Sequence, residues 1–140
     1  MEGTLRTYNE ETRQLVKSKI RKICEGIASG FDCQVDVDLS DMYPPVINHE
    51  SQTNHVIEVA KTWFGDSHFS QDNLPSSAAE DFSYYLQERP GCFFTLGTWK
   101  VNEHPKICHS SVFDYNDDMI ASAAYLFIRL VEHRLDVKIF

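Results

Sequence analysis

The stretch CQVDVDL, residues 33–39, alternates apolar and polar side chains without a break. Successive side chains of a β-strand point to opposite faces of a sheet, so this alternation predicts a strand with one buried and one solvated face. Residues 2–8 predict another strand, and the segment between the two predicts a helix that begins after Asn9 as N-cap and stops at Gly30. Residues 1–41 therefore predict strand, helix and strand, which is half of an open-faced α/β sandwich.

A different arrangement follows this unit along the chain. The pair Pro44-Pro45 interrupts both helices and strands, because each proline lacks an N–H and fixes φ, and we place a domain boundary between residues 41 and 42. The second part, 42–140, predicts helices over about Glu50–Phe64, Glu80–Gln87 and Asn116–Leu135, and a buried strand over Cys92–Leu96. The last predicted helix is apolar at Ile120, Ala123, Ala124, Phe127, Ile128 and Val131. The predicted fold class is α/β.

Composition limits the classes of partner. The 140 residues carry a formal net charge of -8 and suffice for one compact domain, or for a piece of one and most of another. This charge disfavours a nucleic-acid partner, since phosphate backbones are bound by clustered Lys and Arg. No apolar run approaches the roughly 18 residues of a membrane span, so we expect no membrane partner. The spacing of the four cysteines is typical of reduced thiols, and we expect a cytoplasmic protein.

Three stretches contain polar residues that are candidates for a functional site. Glu80 and Asp81 begin a predicted helix beside several aromatic residues, where they either interact with the helix dipole or lie near a metal ion or a substrate. His109 lies near the end of a predicted long loop, Trp99–Ser111, and is either a surface residue or a metal ligand. Arg6 on the first strand is either a solvated residue or a group that binds a carboxylate. The residues alone provide at most one or two metal ligands, and a stable site needs three or more.

Four collinear motifs give these candidates a context. They are GTLRT in residues 3–7, YPPVIN in 43–48, AEDFSYY in 79–85 and HSSVFD in 109–114. In this order and at this spacing they resemble the second half of the amidohydrolase branch of metallopeptidase family twenty. That branch includes hippurate hydrolases, N-acyl-amino-acid amidohydrolases and plant hydrolases of auxin–amino-acid conjugates.

The resemblance implies a two-metal enzyme built from a catalytic α/β domain and an inserted α/β-sandwich lid. Residues 1–41 would be the second half of the lid (dimerisation) domain, and 42–140 the C-terminal part of the catalytic domain. His109 would be a ligand of one of two divalent ions, with zinc expected and manganese or cobalt as alternatives. Glu80, Asp81 and Arg6 would bind substrate. The remaining ligands and the general base are expected upstream of residue 1, so no catalytic residue is assigned.

The resemblance implies hydrolysis of the amide bond of N-acyl amino acids or amino-acid conjugates, with the N-acyl amino acid as a small-molecule partner. The lid domain would also allow a homodimer. We expect the 140 residues alone to be inactive, and we expect His109 to share one concave surface with Glu80 and Asp81. The alternative is a non-catalytic α/β interaction module that pairs an exposed strand edge with a partner chain and keeps relic active-site motifs.

Overall fold

The computed structural model describes residues 1–72, 74–99 and 108–140 of the chain. The regular elements of this part are α1 Glu10–Gly30, α2 Glu50–Phe64, a 3-10 turn Asp66–His68, α3 Phe82–Glu88 and α4 Met119–Leu135. Contacts divide the chain into two compact units, a first unit of Met1–His49 with Asp72–Gly91 and a second unit of Glu50–Gln71 with Cys92–Phe140. The predicted domain boundary between residues 41 and 42 stays a prediction.

The predicted α/β class is wrong, because none of the described residues forms a β-strand. The half sandwich predicted for residues 1–41, which would be the lid, is therefore not seen, nor is the strand over Cys92–Leu96. Alternation shows which face of a segment could be buried, but a strand forms only when a neighbouring strand shares its backbone hydrogen bonds. Residues 33–39 instead meet a helix: the Arg21 guanidinium donates to the carbonyl oxygen of Val37 at 3.1 Å.

The helix α1 begins where the sequence predicts. Asn9 is its N-cap, and the Asn9 side-chain oxygen accepts a hydrogen bond from the Thr12 backbone N–H at 2.7 Å. The helix includes Gly30 as its last residue, and the left-handed backbone that follows belongs to Asp32, with a φ of 53°. The predicted stop is therefore correct to within two residues, and a cap within the local sequence defines the start.

Basic side chains of α1 hold the segment that follows it in the chain. Lys17 forms an ion pair with Asp41 at 2.8 Å, and the Arg13 guanidinium donates to the carbonyl oxygen of Tyr43 at 3.3 Å. No residue of α1 is buried. The apolar stripe of this helix is only partly covered: Leu15, Ile23 and Ile27 have exposed fractions of 58–59%, and Val16 and Ile20 are half-buried.

The short helix α3 supplies two of the buried residues of the first unit, and Pro44 is also buried there. Ser83 and Leu86 are buried on it, and the Tyr84 hydroxyl donates to the carbonyl oxygen of Met42. Past its C-terminal end, His49 and Gly91 are joined twice. The His49 backbone N–H donates to the Gly91 carbonyl at 3.0 Å, and the Gly91 N–H donates to His49 Nδ1 at 3.2 Å.

The second unit is built on the packing of α2 against α4. The bounds of α2 match the prediction, and its Val59 is fully buried. The Trp63 and Tyr125 rings meet edge to face, with centroids 6.1 Å apart, and the Arg129 guanidinium lies 4.0 Å from the Trp63 ring centroid. An Arg over an aromatic face is attracted by the ring quadrupole. Aromatic and cationic contacts therefore set which face of α4 meets α2.

The apolar positions of α4 are buried to very different extents. Leu126 is buried on α4, whereas Ile120, Phe127 and Val131 keep exposed fractions of 66%, 57% and 44%. The helix also begins at Met119, three residues after the predicted start, although it ends at Leu135 as predicted. Periodicity located the helix but did not determine which of its apolar side chains are buried.

The last residues of the chain fold back on α4 through a buried carboxylate. Glu132 is 8% exposed, and its carboxylate accepts hydrogen bonds from the backbone N–H groups of Ile139 and Phe140. The carboxylate also pairs with the Arg129 guanidinium. A buried charge is tolerated when it is paired and hydrogen-bonded, and Glu132 meets both conditions.

None of the helices in the described ranges combines the length and the apolarity that crossing a membrane requires.

Candidate functional site

His109 lies in a turn of the second unit, ten residues before α4. Its side chain is exposed, and its φ of 66° puts the backbone in the left-handed region that non-glycine residues rarely adopt. The next residue stabilises the turn: the Ser110 hydroxyl accepts from the Val112 N–H at 3.1 Å, and the Ser110 carbonyl accepts from the Phe113 N–H at 3.1 Å. The loop predicted over Trp99–Ser111 falls largely on residues 100–107, which lie outside the described residues.

Glu80 and Asp81 lie immediately before α3, which begins at Phe82 and not at Glu80 as the sequence predicted. Glu80 is half-buried, and its carboxylate accepts a hydrogen bond from the Phe82 backbone N–H at 3.4 Å. Its carbonyl oxygen also accepts from the Ser83 hydroxyl at 2.7 Å. The Asp81 side chain is exposed and makes no capping hydrogen bond, although Asp81 is the N-cap residue. Glu80 is thus held locally, while Asp81 faces solvent.

Arg6 is exposed in the segment that precedes α1. It belongs to the first unit together with Glu80 and Asp81, whereas His109 belongs to the second unit. The concave surface expected to join His109 to Glu80 and Asp81 stays a prediction, as do the substrate-binding roles of all three first-unit residues.

The described residues do not by themselves form a metal centre of the predicted kind. Within residues 1–72, 74–99 and 108–140, no group of three or more His, Cys, Asp or Glu side chains could hold a metal ion. His109 is the only predicted ligand in these ranges, and an ion in a structural or catalytic site takes three or four protein ligands. A two-ion centre would need donors from outside this set.

One cluster of ligand-type side chains was not singled out from the sequence. His55 on α2 and His133 on α4 are 78 positions apart, and their Nδ1 atoms lie 3.1 Å from each other. Neither belongs to one of the four motifs, and no spacing rule links residues so far apart. Only the packing of the two helices brings them together.

Comparison with known proteins supports the resemblance drawn from the motifs. The model for peptidase family M20/M25/M40 matches residues 4–133. The chain is 30% identical over 127 residues to a hippurate hydrolase of Campylobacter jejuni, a match that covers 91% of this chain and 32% of that protein. It is 34% identical over 140 residues to an N-acetyldiaminopimelate deacetylase of Lacticaseibacillus paracasei, covering 99% of this chain and 35% of that protein.

A second N-acetyldiaminopimelate deacetylase, from Brevibacillus brevis, is 35% identical over 131 residues, covering 94% of this chain and 32% of that protein. The chain thus spans about a third of the length of the curated relatives it matches. No solved structure matches it. Because the family model covers nearly all of the sequence, the chain belongs to peptidase family M20/M25/M40.

Proposed function

We propose that this chain is part of a metal-dependent amidohydrolase that cleaves the amide bond of N-acyl amino acids or amino-acid conjugates. The observation that carries the proposal is the family match over residues 4–133, together with the names of the relatives. Those names describe enzymes that act on hippurate and on N-acetyldiaminopimelate. Both compounds are N-acylated amino acids. The substrate of this protein would then be an N-acylated amino acid as well.

The proposed contribution of the chain is one metal ligand and part of the substrate pocket. Members of the family are generally metal-dependent, and two zinc-type ions are the cofactor we propose. His109 is the proposed ligand, and its exposure to solvent is compatible with binding an ion. Glu80, Asp81 and Arg6 are the proposed pocket residues. A general base and the other ligands would come from the part of the enzyme that the relatives have and this chain does not match.

The first experiment asks whether the 140 residues are sufficient for catalysis. We expect the purified chain, supplied with zinc or manganese, to hydrolyse no N-acetyl or N-benzoyl amino acid, because His109 is one ligand where about three are needed. The matched control is His109→Asn, since asparagine also accepts a left-handed backbone but lacks the imidazole. Turnover by the chain that exceeds the turnover of this variant would show that the ligand count is wrong.

A second observation separates the enzyme from the interaction module. The DNA immediately upstream of the Met1 codon is read for an in-frame continuation. A continuation that encodes further His, Asp and Glu ligands supports the amidohydrolase, and His109→Asn in that longer protein should then abolish turnover. A promoter and ribosome-binding site directly before Met1 would contradict the proposal and favour the non-catalytic module.

A further inference from the structure

The two histidines that face each other between α2 and α4 form an arrangement suited to a metal ion. The Nδ1 atoms of His55 and His133 are 3.1 Å apart, and their rings are tilted by 46° with centroids at 4.9 Å. If the two rings met end to end, with both centroids and both Nδ1 atoms on one line, the centroids would lie farther apart than 4.9 Å. The two rings therefore meet at an angle and not end to end, which leaves room for an ion beside the line that joins the two Nδ1 atoms.

The outer nitrogen of each ring lies near an acceptor. His55 Nε2 is 3.2 Å from the carbonyl oxygen of Leu130, and a carbonyl oxygen can only accept, so this nitrogen carries the proton. His133 Nε2 lies 3.5 Å from a carboxylate oxygen of Glu58, which also favours a proton on that nitrogen. With both outer nitrogens protonated, the lone pairs of both Nδ1 atoms would face the same gap. Two lone pairs at 3.1 Å repel, so the gap holds either a proton on one Nδ1, which then donates to the other, or a metal cation.

We propose that His55 and His133 chelate a divalent transition-metal ion, such as Zn²⁺ or Ni²⁺, through their Nδ1 atoms. An ion about 2.0–2.1 Å from each nitrogen would see a 3.1 Å nitrogen pair at an angle of about 98°, between the octahedral and tetrahedral values. Imidazole nitrogen selects this class of ion over Mg²⁺ and Ca²⁺, which prefer oxygen. A carbonyl or carboxylate behind each metal-binding histidine is the usual arrangement that fixes ring and tautomer.

The surroundings of His55 fit an exchangeable ion. His55 lines an open groove whose other lining residues are Glu50, Ser51, Asn54, Glu58 and Arg134, whereas His133 lines a second cavity. Two carboxylates favour a cation there, and one guanidinium opposes it. The open side leaves the remaining coordination positions to water, in agreement with the lack of a third protein ligand among the described residues. Because the two ligands belong to different helices, the bound ion would join α2 to α4.

The experiment is a zinc titration of the whole chain, read by the ¹⁵N resonances of the histidine rings and by thermal melting. We expect the Nδ1 resonances of His55 and His133 to shift together and the melting temperature to rise by several degrees, because a ligand that binds only the folded state stabilises it. The ring resonances are needed since the chain also has four free cysteines, which bind zinc as thiolates. Magnesium should produce neither change.

Three variants decide the assignment. His133→Gln should abolish both responses, whereas His68→Gln, which alters an exposed histidine of the 3-10 turn, should keep them. Glu58→Gln removes the charge behind His133 and should weaken zinc binding by about 10-fold or more. Circular dichroism in EDTA verifies that each variant is folded, and the Glu58 variant tests the site if His133→Gln is not.

The proposal does not rest on the proposed catalytic function, because His109→Asn should leave the response of His55 and His133 intact. It is overturned if zinc does not shift the two rings together, which would mean that a shared proton alone occupies the gap. It is also overturned if the His55 ring of His133→Gln still shifts with zinc as it does in the unchanged chain, or if His109→Asn removes the shift of the two rings.

Discussion

The helices α1 and α4 are both amphipathic, but they are stabilised in opposite ways. The helix α1 has a side-chain N-cap and ion pairs along its length, yet none of its residues is buried. The helix α4 makes no side-chain capping bond at Asp118, but it buries Leu126 and Glu132. Local sequence thus holds α1, whereas packing against α2 holds α4.

This difference teaches that an apolar stripe does not by itself report burial. The stripe of α1 is as regular as that of a core helix, but Leu15, Ile23 and Ile27 remain more than half exposed. In proteins most helical stability comes from tertiary packing of the apolar face. A helix without such packing depends on its caps and its charged pairs. We therefore expect the stability of α1 to depend on its cap and charged residues, and that of α4 to depend on its buried side chains.

The largest expected effect is on packing. Leu126→Ala should lower the free energy of unfolding by about 2–5 kcal/mol, because it removes a buried side chain and leaves a cavity. Leu15→Ala on α1 should change it by less than about 0.5 kcal/mol, since that side chain is already in solvent. Urea unfolding followed by helical circular dichroism measures both. Equal losses in the two variants would show that the α1 stripe is covered in solution.

An effect of intermediate size is expected from the buried carboxylate of α4. The N–H groups of Ile139 and Phe140, aided by Arg129, hold the pKa of Glu132 below its usual value of 4.5. A carboxyl whose pKa is lowered by folding stabilises the fold above its unfolded pKa, and this stabilisation is lost as the pH falls through the folded pKa. Glu132→Gln should therefore be less stable than the unchanged chain at pH 7.

The pH profiles of stability test this assignment and compare the two regions again. The difference between Glu132→Gln and the unchanged chain should shrink as the pH drops below about 4.5. In the first unit the ion pair with Lys17 lowers the pKa of Asp41, whose side chain is 52% exposed. Exposed ion pairs contribute little to stability. Asp41→Asn should therefore change the pH dependence of the free energy of unfolding less than Glu132→Gln does. A constant difference between Glu132→Gln and the unchanged chain at every pH would contradict the prediction.

The smallest expected effect concerns the cap of α1. Asn9→Ala should cost about 1 kcal/mol, because the Thr12 N–H loses its side-chain acceptor. The control is Asp81→Ala at the N-cap of α3, where no side-chain capping bond exists, and it should cost less than about 0.5 kcal/mol. Thermal melts of the two variants provide the comparison. If the control costs as much as Asn9→Ala, the cap is not what stabilises α1.

The features that the sequence predicted correctly are those that local chemistry determines. Asn9 located the start of α1, both bounds of α2 were correct, and α4 ends at Leu135 as predicted. The strands over residues 33–39 and 92–96 were wrong because strand formation depends on a partner, which alternation within one segment does not supply. The sequence did not predict which apolar side chains of α4 are buried, because this depends on contacts with another helix, such as that of Arg129 with Trp63.

The site was predictable in so far as its residues lie within recognisable motifs. The family match covers His109, Glu80, Asp81 and Arg6, so the motifs identified the correct family, while the roles of these residues stay predictions. The strained backbone of His109 could not be foreseen, because no glycine or asparagine signals it. The pair of His55 and His133 depends on the packing of two helices and has no signature in either segment.

The contact between Glu132 and the backbone of residues 139 and 140 bears on how the protein is best labelled. A purification tag or fluorophore fused after Phe140 would start beside a buried carboxylate and compete with the two N–H groups that satisfy it. Met1 is fully exposed, so a label fused there would leave these contacts in place. The amino end is therefore the better attachment point for a reporter, and a probe at the other end would report on α4 itself.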